Sequence, residues 1–316
     1  MQAKFVDIIG IPFALGGSNP GPARGPMVLR DERIEERLQK LGHTTSFVDV
    51  REKTLLPEIF TATPILSSPI CSENSVIDVS KISGAYVFRS LRLGHIPLVI
   101  GGDHSVSIGT LPQFLDPALS YGRHVGLLWI DAHYDAHTPK TSHSHYANGI
   151  PLATVLGRGS RSMGCYSRSD GGRKKRLKFA PWNVLHIGAG STDCENEEIE
   201  LLDTLGVSRI SMDDIHRDGI MRCIATLERF IHSVDDIIVT IDLDAMHKKF
   251  APGVSFPSSG GILPGMVTMI AERVAKSGKL RQLEIMEYNP DNEEWDEAGN
   301  PKTAMLACVL METFLI

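Results

Sequence analysis

Three short clusters of acidic and histidine residues carry the chemistry in this sequence: Asp103-His104, Asp131-Ala132-His133-Tyr134-Asp135 and, much further on, Asp242-Leu243-Asp244. Each closes an apolar run, Ile96 to Ile100, Val125 to Ile130 and Ile237 to Ile241. Runs of that kind predict buried strands of a parallel sheet, and open α/β sheets keep their chemistry just outside the carboxyl ends of the strands. Three remote pieces of chain are therefore expected to meet at one sheet edge. Strand alternation sends residues i and i+2 to one face, which aims Asp131 with His133, and Asp242 with Asp244, at a common centre. That arrangement predicts a metal site, and by ligand count a double one.

Carboxylates with a minority of imidazoles and no thiolate favour a hard to borderline divalent ion, so Mn(II) is expected before zinc. Two such ions about 3.5–4 Å apart would share a bridging water and bring its pKa toward neutrality. The predicted reaction is hydrolysis without a covalent enzyme intermediate. Gly101 and Gly102, having no Cβ, allow a tight strand-to-helix turn that brings His104 round, with Ser105 expected to cap the helix that follows.

The elements that must position these clusters follow from the rest of the chain. Candidate strands are Phe5 to Ile11, Thr45 to Val50, Ile96 to Ile100, Val125 to Ile130, Val184 to Ile187, Ser208 to Met212, Ile237 to Ile241 and Gln282 to Met286. Helical spacing lies between them at Ser83 to Leu93, Met221 to His232 and Pro264 to Ser277. Alternating strand and helix signals predict an α/β fold, a parallel sheet with helices on both faces. No linker or repeat interrupts the pattern, so residues 1–316 are expected to form a single catalytic domain.

A hydrophobic content of 42% supports a large core, and a formal charge of −6 does not describe a nucleic-acid or membrane-surface binder. Five cysteines without a C-x-x-C pair suit reduced thiols in the cytosol. The start lacks signal-peptide architecture, and the apolar stretch Thr303 to Ile316 is too short to span a bilayer and reads as a buried last helix. A cytoplasmic address without a membrane partner is expected. Two segments read as surface loops. Phe13 to Gly25 is rich in Gly and Pro, and Arg158 to Lys178 is strongly basic with only Asp170 opposing. With no aromatic platform beyond Tyr166, the basic segment predicts a solvated loop or subunit contact rather than a nucleic-acid site.

Gly101-Gly102-Asp103-His104-Ser105, Asp131 to Asp135, and Asp242-Leu243-Asp244 followed by Ala251-Pro252-Gly253 resemble the signatures of the ureohydrolase family of arginases, agmatinases and formimidoylglutamases. The likeness runs from Ile8 to Gly17 through to Glu287-Tyr288-Asn289-Pro290, essentially the whole chain. It implies a three-layer α-β-α sandwich around an eight-stranded parallel sheet, assembled as a homo-oligomer, trimer or hexamer. It also implies two Mn(II) ions per chain, one held by His104, Asp131, Asp135 and Asp242, the other by Asp131, His133, Asp242 and Asp244. Asp131 and Asp242 would bridge, and Asp135 would serve catalysis as well. Glu287 matches the glutamate that grips the substrate guanidinium, and a carboxylate can hold that planar cation in two parallel hydrogen bonds.

The substrate loop keeps the family frame at Thr138-Pro139, Ser144 and Gly149-Ile150-Pro151 but changes its contents. His137 and Tyr146 stand where arginases usually have Asn, and Asn148 where they have a proton-shuttling His. Substrate contacts are expected from His137, Ser144, Tyr146, Asn148, Glu287 and Asp193, which matches the carboxylate that meets the α-amino group. An amide cannot exchange a proton near neutral pH, so proton delivery is expected from His145, with His143 and His137 as alternatives. Residues 251–257 look closer to the formimidoylglutamase version. The implied function is an arginase-like binuclear manganese hydrolase of a small guanidino or amidino compound, releasing urea from an amino-acid guanidine. Formimidoylglutamate, agmatine or another guanidine is the alternative substrate. A binding homologue without catalysis is disfavoured, because all six ligand positions are filled.

Overall fold

In the computed structural model, which describes residues 3–60, 70–167, 175–190 and 194–316, the apolar runs become one sheet. Its strands are β1 (Phe5–Gly10), β2 (Thr44–Asp49), β3 (Ile96–Ile100), β4 (Val125–Ile130), β5 (Val184–Ile187), β6 (Ser208–Ile210), β7 (Asp236–Asp242) and β8 (Leu280–Met286). All are parallel, in the order β2-β1-β3-β8-β7-β4-β5-β6. Every residue of β3, β4 and β7 is buried, as a strand covered on both faces requires.

Alternation along β4 divides the core. Leu128 and Ile130 join one apolar cluster, whose helices include Ile220–Ser233, Pro264–Ser277 and Lys302–Leu315. Leu127 and Trp129 join the other, with the helices Glu73–Arg92 and Asn196–Leu205. The result is a three-layer α-β-α sandwich. The last helix lies against the first cluster, with Ala304, Ala307, Met311 and Phe314 fully buried. No helix of the described residues is long and apolar enough to cross a membrane.

The topology brings the clusters together. From β3 the early chain builds outward to β1 and β2, and from β4 it builds the other way to β5 and β6; β7 and β8 then fill the space between. The crevice where winding direction changes is the expected ligand position in such sheets. The four central strands β3, β8, β7 and β4 end respectively at Gly101-to-His104, Glu287, Asp242 and Asp131.

The structure departs from expectation in three places. The helix expected from Ser83 begins at Glu73, and its first turns bury Val76 and Val79 with the small residues Ser80, Ser83 and Gly84 interspersed among them. Small side chains are needed there: a Cβ on Gly84 would lie 2.6 Å from the Gly109 carbonyl, and one on Gly109 would lie 2.3 Å from the Ser80 Cα. A pattern search for large apolar residues cannot see a close helix crossing of this type. Phe13 to Gly17, expected at the surface, is buried. The Phe13 carbonyl accepts from the Asp103 amide at 2.9 Å, and a Cβ on Gly102 would meet that carbonyl at 1.7 Å, so glycine is required where the two loops touch. Finally, Ser105 does not cap the short helix His104–Val106. Asp103 does, its carboxylate accepting from the Ser105 amide at 2.9 Å. Of the basic segment, Arg168 to Lys174 lies outside the described residues.

Candidate metal centre

The candidate ligand residues converge, though not by strand alternation. Asp131 follows the end of β4, and Asp244 lies in a single 3-10 turn after β7. What sets their direction is a repeated local device. The Asp131 Oδ1 accepts the His133 amide at 2.7 Å, and the Asp242 Oδ1 accepts the Asp244 amide at 2.9 Å, as Asp103 does with Ser105. Aspartate is well suited to such Asx turns, because its short side chain reaches the backbone two residues on. In both ligand aspartates the turn occupies one oxygen and leaves the other facing inward.

His104 is the hub of one group. Its Nδ1 lies 3.2 Å from an Asp131 oxygen, 3.2 Å from Asp135 and 3.1 Å from Asp242. His133 Nδ1 lies 3.1 Å from Asp244 and 3.6 Å from the other Asp131 oxygen. Ligand atoms of His104, Asp131 and Asp242 all fall within 4.8 Å of one another, as do those of Asp131, His133 and Asp244. Asp131 belongs to both groups and turns one oxygen toward each.

Surrounding residues orient these groups. The His104 ring is stacked on Trp129 with centroids 4.4 Å apart, and its Nε2 lies 3.1 Å from the Thr240 hydroxyl. The Trp129 indole N–H donates to Asp131 Oδ2 at 2.9 Å. His186 Nε2 donates to the His133 carbonyl at 2.8 Å, while burial pushes its pKa down to about 4. Partners of this kind fix ring orientation and ligand basicity in metal sites.

The electrostatics demand positive charge. Burial, with the Asp131 charge adding to it, pushes Asp135 up to about 7. Burial and then the charges of Asp244 and Asp131 hold Asp242 well above the usual carboxylate range. Burial and the neighbouring Asp103 push Glu287 up to about 8. Asp131 goes the other way, because hydrogen bonds from His104 and His133 outweigh its burial. Carboxylates this crowded are costly in a dry interior unless a cation joins them. The donor set and its strain therefore fit a divalent metal pair.

Beside this cluster lies a cavity of about 390 Å³, lined by His133, Asp135, Asp242, Asp244 and Glu287 together with His137, Ser144, Tyr146 and Asn148. Glu287 sits at φ 62° and Asp135 at φ 50°, left-handed conformations that a functional role commonly holds in place. Glu287 Oε1 accepts from the His104 amide at 2.9 Å and from the Asn148 side chain at 3.5 Å. Of the other expected residues, His145 (φ 61°) is absent from the lining, and its carbonyl accepts from the Cys71 amide at 2.7 Å. His143 is exposed, 3.4 Å from Glu195, and does not line the cavity. Asp193 lies outside the described residues.

The cavity also contains residues not singled out from the sequence, although the loop Phe13 to Gly25 that carries Ser18 resembles the family's early loop at the active-site rim. Ser18, Phe256, Glu195 and Glu198 line it, with His137 Nε2 3.5 Å from Glu195 and 3.7 Å from Glu198. Glu198 accepts from the Ala136 amide at 2.9 Å, directly after the metal cluster. Its sequence signal was the acid-x-x-acid pattern of a capping box, which Glu195 and Glu198 form at the start of the helix Asn196–Leu205.

Comparison with known proteins agrees with this geometry. The model described as Arginase family matches residues 4–316. The arginase of Bacillus caldovelox is 31% identical, covering 99% of this chain and 100% of its own length. That of Bacillus subtilis is 30% identical, covering 99% of both chains. The crystal structure of arginase from Bacillus subtilis superimposes with a TM-score of 0.81 at 30% identity, over 99% of this chain and 98% of the other.

Proposed function

Because the chain belongs to the arginase family, a family of hydrolases acting on guanidino bonds, we propose that it is a binuclear manganese enzyme releasing urea from an amino-acid guanidine. The observation that carries this reading is Asp131, shared by two ligand groups with one oxygen toward each. By the family likeness, His104, Asp131, Asp135 and Asp242 would hold one ion, and Asp131, His133, Asp242 and Asp244 the other. When bound, the pair supplies a water of lowered pKa and a positive field over the developing charge.

The chain's own groups do the rest. Glu287 faces the cavity with one oxygen tied to the His104 amide, which orients the carboxylate for a guanidinium and places that cation's central carbon over the ligand cluster. Asp135, at the cavity wall, orients the attacking water by accepting a hydrogen bond from it. The Phe256 ring, in the cavity lining beside His133 with centroids 6.3 Å apart, helps to exclude bulk water. Departure of the amine needs a proton, and Asn148 cannot give one. His137 is, besides the candidate ligand His133, the histidine among the lining residues, with its Nε2 3.5 Å from Glu195 and 3.7 Å from Glu198. We therefore assign proton delivery to His137 in place of His145.

His137→Ala is expected to lower turnover by about a hundredfold while leaving metal content unchanged, and His145→Ala to lower it far less. Turnover and metal analysis of both variants check this, and the reverse ranking returns the role to His145. A trimeric or hexameric assembly belongs to the same reading and rests on the family likeness, and a cytoplasmic location rests on the free cysteines. The substrate is tested by incubating the manganese-loaded protein with arginine, agmatine, a guanidino acid and formimidoylglutamate, and assaying urea, formamide and ammonia. Urea from arginine is expected. Formamide as the only product would replace this assignment with formimidoylglutamate hydrolysis, to which the segment Ala251 to Pro257 bears some likeness.

A further inference from the structure

A second cavity, of about 830 Å³, opens at the opposite edge of the sheet, where β4 and β5 begin. It is separated from the metal ligands by the length of β4, roughly 20 Å at about 3.3 Å per residue. Its walls are the loop Ser120 to Val125, Leu156 to Arg158, and the segment Lys175 to Asn183 that leads into β5. Arg123, Arg158, Lys175, Arg176 and Lys178 line it, and among the described residues none of the lining is Asp or Glu. In a chain of net charge −6 this is a local reversal of sign.

The five cations are not equivalent. Arg123 is held by Asp236, with Nη2 donating to Oδ1 at 2.8 Å, and the nearby Asp235 accepts the His124 amide at 2.8 Å. The Arg176 guanidinium is spent on backbone carbonyls, including Ser160 at 3.2 Å and Gly159 at 3.4 Å. Arg158, Lys175 and Lys178 are exposed and form no ion pair among the described residues. With them stand two large aromatic side chains left in water, Tyr121 at 88% and Trp182 at 74% exposure.

Free cations beside exposed aromatic faces recognise a ligand that is both anionic and planar, through charge-assisted hydrogen bonds to phosphate and stacking of a base. The volume is that of a small-molecule site. A single-stranded nucleic acid would call for an open track with successive platforms, whereas these groups all line one recess. We propose that this cavity binds a nucleoside polyphosphate, its base on the Trp182 and Tyr121 side and its phosphates on Arg158, Lys175 and Lys178. The assignment is independent of the guanidine chemistry, since the two cavities share no residue.

The test is calorimetric titration of the manganese-loaded full chain with MgATP, adenosine, tripolyphosphate and oligoadenylate, with tryptophan fluorescence followed in parallel. MgATP is expected to bind with quenching, and adenosine and tripolyphosphate each at least about tenfold more weakly. The double variant Arg158→Glu, Lys178→Glu is expected to weaken MgATP binding by more than about thirtyfold with guanidine hydrolysis unchanged. Trp182→Ala is expected to reduce MgATP affinity to that of tripolyphosphate and to remove the quench. The proposal is overturned if MgATP does not bind at about 1 mM, if tripolyphosphate binds as tightly, if oligoadenylate binds more tightly per site, or if neither variant alters binding. Should the double variant fail to fold, the Trp182→Ala result decides alone.

Discussion

Asp131→Asn is expected to leave the protein folded, strip it of both ions and lower turnover by at least about a thousandfold, since loss of an outer-shell partner alone typically costs 10–100-fold. The substitution isolates the charge. An asparagine Oδ1 can still accept the His133 amide that Asp131 accepts at 2.7 Å, so the turn after β4 survives. What disappears is the negative charge that faces His104 on one side and His133 on the other. A neutral amide cannot compensate two divalent cations, and the indole N–H of Trp129, which donates to Oδ2 at 2.9 Å, now competes for the weaker acceptor or meets an amide nitrogen. Plasma emission analysis of metal per chain and a urea assay measure the outcome. A variant that keeps two ions and near-normal turnover would mean Asp131 does not bridge, and the binuclear reading would fall with it.

Glu287→Gln is expected to behave differently, losing on the order of a hundredfold in kcat/KM with both ions retained. Glu287 belongs to neither ligand group, yet it lines the cavity and is held by the His104 amide. Burial and the Asp103 carboxylate push it up to about 8, which marks a site that favours an incoming cation. Gln keeps an oxygen for the amide contact but presents an N–H toward the guanidinium, which repels it. The deficit is expected mainly for cationic guanidines and much less for neutral analogues. An equal loss on neutral substrates would assign Glu287 to architecture instead of recognition.

Much of this was legible in the chain. All eight strands fall within two residues of their expected ends, the central ones because strands buried on both faces need side chains of one kind throughout. The clustering of the candidate ligands was legible for a related reason: Asp and His directly after such a run have nowhere to go but the sheet edge. Features that depend on contact between remote segments were not. Gly84 and Gly109 read as weak helix residues until their helices are seen to touch. His145 and His137 look alike in a loop of polar residues, and only the fold shows that His137 is the one lining the cavity. Glu198 was hidden in an acidic helix start, since a capping residue and a cavity wall have the same spelling.

The Asx turns at Asp131 and Asp242 have a further consequence. Each closes on an amide only two residues along, and the second oxygen faces His104, so the carboxylates are aimed by the protein itself. Demetallated protein should need little reorganisation to be refilled. Its recovery would then be limited by how fast hydrated ions enter and shed water, and repeated stripping and reloading should cost the enzyme almost nothing in active fraction.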